Sequence, residues 1–171
     1  MEFATKCIHE IGAADATSAC LGALDAWLVI RGIKTLPLRM KQHQKNAFAI
    51  AKWLQKQLRV QYVLYPGLEN HPGYVINKAQ TTSFGGMISF AVDNAETARQ
   101  ILEGVKLIKF AESLGGTESL ITYPIRQTHT DLTAEECAEK GITDCLLRFS
   151  TGIEATQDLI DDLAQAFAVI E

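Results

Sequence analysis

Lys106–Leu120 reads K-L-I-K-F-A-E-S-L-G-G-T-E-S-L, and the rest of the chain is read outward from it. An apolar, strand-like run of Leu107, Ile108 and Phe110 breaks into Glu112-Ser113-Leu114-Gly115-Gly116. A second short apolar run begins at Leu120 and Ile121. A hydroxyl, a carboxylate and two glycines at the end of a strand build a poor core. They do allow bare backbone amides to come close to a ligand. A glycine turn that merely closes the strand is the simpler use of the same residues. A second stretch, Cys145–Glu154 (C-L-L-R-F-S-T-G-I-E), bears on the choice.

Arg148 stands in the middle of that second stretch. Alternation places Leu147 and Phe149 on one face of a strand and Arg148 on the other, with Leu146 and Ser150. A mid-strand arginine must reach solvent, form a structural salt bridge or meet an anion, because a buried unpaired guanidinium is costly. Its planar fork of donors matches a carboxylate through two parallel hydrogen bonds.

Upstream of these stretches, residues 1–22 are small and weakly patterned and read as an N-terminal arm, with 23–171 as one domain. A helix is expected from Leu24 through Trp27, Leu28 and Ile30, punctuated by Gly32 and Pro37. Met40, Ala47, Phe48, Ala51, Leu54 and Leu58 then recur at helical spacing, with Lys41, Lys45, Lys52 and Lys56 on a solvated side. Val60–Tyr65 reads as a strand stopped by Pro66-Gly67, and 68–83 as a loop with one helical turn. Met87–Val92 alternates as a strand, and Asp93-x-x-Glu96 has the spacing of a capping box that opens a helix. Thr133–Lys140 is a short acidic helix ended by Gly141, and a last helix starts near Thr156. The order predicts an α+β fold: a mostly antiparallel sheet of four or five strands, helices on one face, and a long N-terminal helix.

Composition narrows the function classes. Of 171 residues, 47% are hydrophobic and 21% charged, an ordinary globular balance. A net charge of −4 with interspersed signs gives no basic field for nucleic acid and no polybasic membrane patch. No apolar run has the length of a membrane span, and the first residues lack a signal-peptide pattern, so a cytoplasmic location is expected. Cys7, Cys20, Cys137 and Cys145 have no metal-ligand spacing, so reduced thiols and no metal are expected. Gly85-Gly86 precede a strand rather than a helix, which argues for a turn and against a phosphate loop. His129 and Tyr123 are each open to a structural or an acid–base role.

Several motifs carry a resemblance. D-A-W-L-V-I-R-G-I-K-T-L-P-L-R-M (Asp25–Met40), Tyr65–Pro72, F-G-G-M-I-S-F (Phe84–Phe90), Ala111–Pro124, Gln127–His129 and Gly141–Glu154 occur in order. Together, across about residues 19–171, they closely resemble the C-terminal portion of the Cys/Met-metabolism pyridoxal-phosphate enzymes. That family includes cystathionine γ-synthase, cystathionine γ-lyase, cystathionine β-lyase, methionine γ-lyase and O-acetylhomoserine sulfhydrylase. The resemblance implies that Ser113, with the backbone at Leu114, and Arg148 hold the α-carboxylate of an amino-acid substrate. It implies that Glu112 lines the substrate's distal end, as in the γ-synthase and γ-lyase branch. It also implies oligomer formation or a partner large domain. In the family, pyridoxal phosphate is held by a lysine, a tyrosine, an aspartate and a phosphate cup on that large domain. The resemblance places that domain before Met1, so no cofactor bound to this chain alone and no catalytic lysine are expected. The chain departs from the family at Leu21-Gly22-Ala23-Leu24, where Ser-Pro-Phe usually precedes Asp-Ala-Trp. The expected function is the substrate-carboxylate-binding and oligomerisation domain of a transsulfuration enzyme, inactive by itself. The alternative is a stand-alone, non-catalytic binding or docking module derived from that family.

Overall fold

Alternation of apolar and polar residues produces the centre of the sheet. In β2 (Met87–Val92) the residues Ile88, Phe90 and Val92 share one face and are fully buried. In β5 (Leu146–Ser150) Leu147 and Phe149 do the same. The two strands pair antiparallel, Ile88 opposite Phe149 and Phe90 opposite Leu147, so their apolar faces coincide. The structure is a computed structural model describing residues 21–128 and 132–170. The expected arm at 1–22 falls almost wholly outside the described residues, as do Cys7, Cys20 and His129.

The remaining strands are β1 (Val60–Leu64), β3 (Lys109–Phe110) and β4 (Leu120–Thr122), giving the order β1-β2-β5-β4-β3. Three pairings are antiparallel and β3–β4 is parallel, so the sheet is mixed. The turn between β3 and β4 carries the chain back to the same end, and a parallel pair results without a crossover helix. Leu107 and Ile108 stay outside β3 because Asp162 captures their amides. Its carboxylate accepts from Lys106 N, Leu107 N and Ile108 N at 2.9 to 3.2 Å.

Two helices precede the sheet, α1 (Ala23–Ile33) and α2 (Leu36–Leu54). The chain divides into two compact units, Met1–Pro37 and Leu38–Glu171. The second unit contains the sheet and one core. Ala47, Ile50, Ala51 and Leu54 of α2 join Ala98 and Ile101 of α4 (Ala95–Gly104) and Leu159 and Leu163 of α6 (Thr156–Ala168), over one sheet face. Trp53 meets Phe167 edge to face at 5.6 Å between ring centroids.

Several local expectations shift. α2 stops at Leu54, and Leu58 is fully exposed. The loop at 68–83 contains α3 (Tyr74–Gln80), two turns rather than one. The helix after β2 is capped by Asn94, whose side chain accepts from Thr97 N at 2.9 Å. Asp93 faces Arg59 at 3.0 Å instead. The short acidic helix expected at Thr133–Lys140 is α5 (Ala134–Glu139), opened by a capping box in which Thr133 and Glu136 are reciprocal.

Candidate functional site

The sheet face opposite the core carries the polar residues. Ser89, Arg148 and Thr122 are directly opposite one another on β2, β5 and β4, and Ser150 lies opposite Leu120. Arg148 therefore lies between two hydroxyl residues rather than among aliphatic ones. Its Nε is buried without a hydrogen-bond partner, and no acidic residue pairs with it among the described residues. Leaving such a donor unmet costs about 1–3 kcal/mol, more for a charged group. The salt-bridge alternative for Arg148 is thus not what the structure contains.

The Glu112–Gly116 turn is fastened to this same face at both ends. The Thr122 hydroxyl donates to Ala111 O at 2.9 Å, and Gly115 N–H donates to Ser150 Oγ at 2.9 Å. Gly115 adopts φ +76°, a left-handed conformation open to glycine at little cost, which turns its amide toward the strand. Glu112, Ser113 and Leu114 are exposed between these anchors. None of the three hydrogen-bonds to Arg148; the backbone ties at 111 and 115 bring turn and arginine onto one surface. Three clefts of about 520, 420 and 390 Å³ lie elsewhere, lined by residues such as Phe48 and Tyr74, Phe110 and Arg126, or Tyr62 and His71. Arg148 and the turn line none of them.

Behind the site lies a buried polar network that periodicity did not reveal. Asn46 of α2, fully buried, donates through Nδ2 to Gly152 O and Glu154 O, both at 3.0 Å. Its Oδ1 accepts from Thr156 Oγ1 at 2.6 Å and Gln42 Nε2 at 3.0 Å. His43 Nδ1 lies 2.6 Å from Thr151 O; since a carbonyl only accepts, Nδ1 carries the proton. The Thr151 hydroxyl sits 2.8 Å from Gly86 O, and a Cβ on Gly86 would stand 2.9 Å from that hydroxyl. The Gly85-Gly86 turn therefore allows close packing against β5. His43 and Asn46 share the stripe of Ala47, Ile50 and Leu54, and two polar residues on an apolar stripe were the available signal.

Tyr123 does not point into the site. Its hydroxyl donates to Asp144 O at 2.6 Å, and burial first, then the Asp144 charge, pushes the phenol up from its ordinary value. Cys137 and Cys145 are free thiols. Among the described residues no group of three or more histidine, cysteine, aspartate or glutamate side chains could hold a metal ion. Among them, too, no helix is long and apolar enough to cross a membrane.

The result is an α+β domain in which the Arg148 Nε is buried without a hydrogen-bond partner and the 112–116 turn is tied to the same sheet face. The chain belongs to the Cys/Met metabolism PLP-dependent enzyme family, whose pattern it matches over residues 4–168. It is 47% identical over 152 residues to a cystathionine gamma-lyase of Bacillus subtilis, covering 89% of this chain and 40% of that protein. It is 51% identical over 150 residues to a cystathionine gamma-synthase of Haemophilus influenzae, covering 88% of this chain and 36% of that protein. Among solved structures, a cystathionine gamma-lyase from Lactobacillus plantarum complexed with L-serine superimposes with a TM-score of 0.83 at 40% identity. That match covers 91% of this chain and 41% of the other. The chain thus spans about 40% of the length of these relatives.

Proposed function

We propose that this chain is the substrate-carboxylate-binding domain of a pyridoxal-phosphate-dependent transsulfuration enzyme of the cystathionine γ-synthase and γ-lyase kind. The observation that carries it is the buried, unpartnered Nε of Arg148 beside the tethered 112–116 turn. Arg148 takes the α-carboxylate of an amino acid in a two-point hydrogen bond, and the backbone at Ser113 and Leu114 supplies further donors. Glu112 faces the distal end of the substrate, where its carboxylate favours an ammonium group.

The cofactor is held by residues outside this stretch of chain, and the site is complete only when another surface covers the turn. Two observations support this division. All nine described lysines, Lys34 to Lys140, are exposed, so none stands enclosed against a planar ring. On α1, Leu24, Trp27, Leu28, Ile30 and Ile33 are all about half or more exposed, apolar area suited to a large domain or a second copy of the chain. By itself the chain binds and orients without catalysing.

The test follows the Arg148 Nε–H by nitrogen-15 NMR while L-cystathionine is added to the purified chain, with its carboxamide analogue as control. A shift of the Arg148 resonance and of the 113–116 amides by the acid, and none by the carboxamide, is the expected result. Equal responses to acid and carboxamide, or no response, would overturn the assignment.

A further inference from the structure

The exit of β5 is held at more points than the end of a strand requires. Glu154 Oε1 accepts from Ser119 N at 2.6 Å, and Oε2 accepts from the Ser119 hydroxyl at 2.9 Å. Ser119 Oγ in turn accepts from Gly152 N at 2.7 Å. Ile153 N donates to Thr117 O at 2.9 Å, and Gly115 N to Ser150 Oγ. The segment 115–119 is therefore laced to 150–154 along its length. Ser119 and Gly152 are buried and Glu154 is half-buried. No cation pairs with Glu154 among the described residues, so its carboxylate is committed to the Ser119 amide and hydroxyl. The fit leaves no slack, because a Cβ on Gly152 would stand 2.5 Å from Thr117 O and 2.6 Å from the carbonyl carbon of Glu118. Asn46 holds the other side of this exit through Gly152 O and Glu154 O.

We propose that Glu154 is a positioning residue for the anion site: through Ser119 it sets where the 113–116 turn stands relative to Arg148. This rests on the reading of Arg148 as a carboxylate holder. A carboxylate shared between the arginine fork and the turn amides needs both sets of donors at hydrogen-bond length at once. A displacement of about 1 Å of one set is enough to lose much of that binding. The exposed residues 112–115 have no packing of their own to restore the geometry, so the lacing beneath them decides it. Glu154 touches neither ligand nor arginine; it acts through Ser119.

The experiment compares the wild-type chain with Glu154→Gln and Ser119→Ala, reading amide hydrogen exchange residue by residue and the Kd for L-cystathionine. Arg148→Ala serves as the control for the carboxylate reading. Glutamine preserves the size of the side chain but cannot accept two hydrogen bonds through two oxygens. In Glu154→Gln, exchange at Gly115, Ser119 and Ile153 should rise about tenfold, while Phe90 and Phe149 in the sheet centre stay protected. Binding should weaken by about five- to tenfold while the Arg148 resonance remains in its wild-type position in the free chain. Ser119→Ala should reproduce both effects if Glu154→Gln does not fold. Unchanged exchange at Gly115 in whichever variant folds overturns the proposal. So does faster exchange with an unchanged Kd, because the lacing would then be structural only. Failure of the wild-type chain to bind an amino acid instead removes the Arg148 assignment, and with it the site that Glu154 would position.

Discussion

Gly115 and Ser150, thirty-five residues apart, are joined by one hydrogen bond of 2.9 Å from the glycine amide to the serine oxygen. Ser150 is almost fully buried, two residues along the strand from Arg148 and on the same face. This bond fixes the turn to the strand that carries the unpaired guanidinium. It acts together with the Thr122–Ala111 tie and the Ser119–Glu154 lacing, which hold the two sides of the same segment.

Gly115→Ala tests the tie through backbone conformation. Nothing lies within 4 Å of a Cβ built there, so the cost comes from φ +76° alone. A loss of about 1–2 kcal/mol is expected in urea unfolding. Gly115→Asn should lose less, since asparagine enters the left-handed region more readily. Equal losses for the two variants would show that the left-handed φ is not what limits stability at this position.

Asn46→Ala should be among the most damaging single changes in the second unit. It strips partners from Gly152 O, Glu154 O and the Thr156 hydroxyl at once, in a fully buried place. A loss of about 2–4 kcal/mol with an unchanged denaturant slope is expected. Asn46→Asp keeps the shape but aims a carboxylate oxygen at two carbonyls, so it should not rescue stability at neutral pH. A loss below about 1 kcal/mol for the alanine variant would mean that water replaces the amide.

What the sequence made legible follows from the range of the interactions. The alternation in Ile88–Val92 and Leu147–Phe149 is a local pattern, and both strands lie where it puts them. The short acidic helix at Thr133–Lys140 is equally local, and α5 lies within those bounds. At Asp93–Glu96 the helix start was legible, but Asn94, one residue later, is the cap, while the Asp93 carboxylate bonds the Thr97 side chain and Arg59 of a distant segment. The parallel pairing of Lys109–Phe110 with Leu120–Ile121 depends on Asp162, fifty-odd residues away, holding the amides before it. Arg148 was visible as an anomaly in an apolar strand. Asn46 showed only as a polar residue on an apolar stripe, and Glu154 did not show, because Gly152, Glu154 and Thr156, which Asn46 holds, and Ser119, which Glu154 holds, lie 106 to 110 and 35 residues away.

Tyr65 gives a pH-dependent prediction. It is buried, its hydroxyl donates to Gly85 O at 3.0 Å, and burial pushes its phenol up from 10.0 to about 12. The folded state therefore holds this proton more tightly than the unfolded chain. Its contribution to stability is complete below pH 10 and is lost as pH rises through 10 to 12. Tyr65→Phe removes both the hydrogen bond and this dependence. The wild type should exceed the variant by about 1 kcal/mol near pH 8, with the gap closing toward pH 12. Urea midpoints measured across that range check it, and a constant gap would contradict the assignment.

Arg148 separates the demands of binding from those of stability. A salt-bridged or packing arginine would destabilise the fold when replaced. An arginine with a buried, unpartnered Nε should not, because its replacement removes an uncompensated donor. Arg148→Met, which keeps much of the aliphatic length, should leave the urea midpoint unchanged or raise stability by about 1 kcal/mol. The same variant should lose the carboxylate-dependent response to L-cystathionine. Arg148→Lys should recover little of it, since an ammonium lacks the two-pronged geometry. Destabilisation of Arg148→Met by more than about 2 kcal/mol would place the residue in the scaffold instead. Retained binding in that variant would place the anion elsewhere on the sheet.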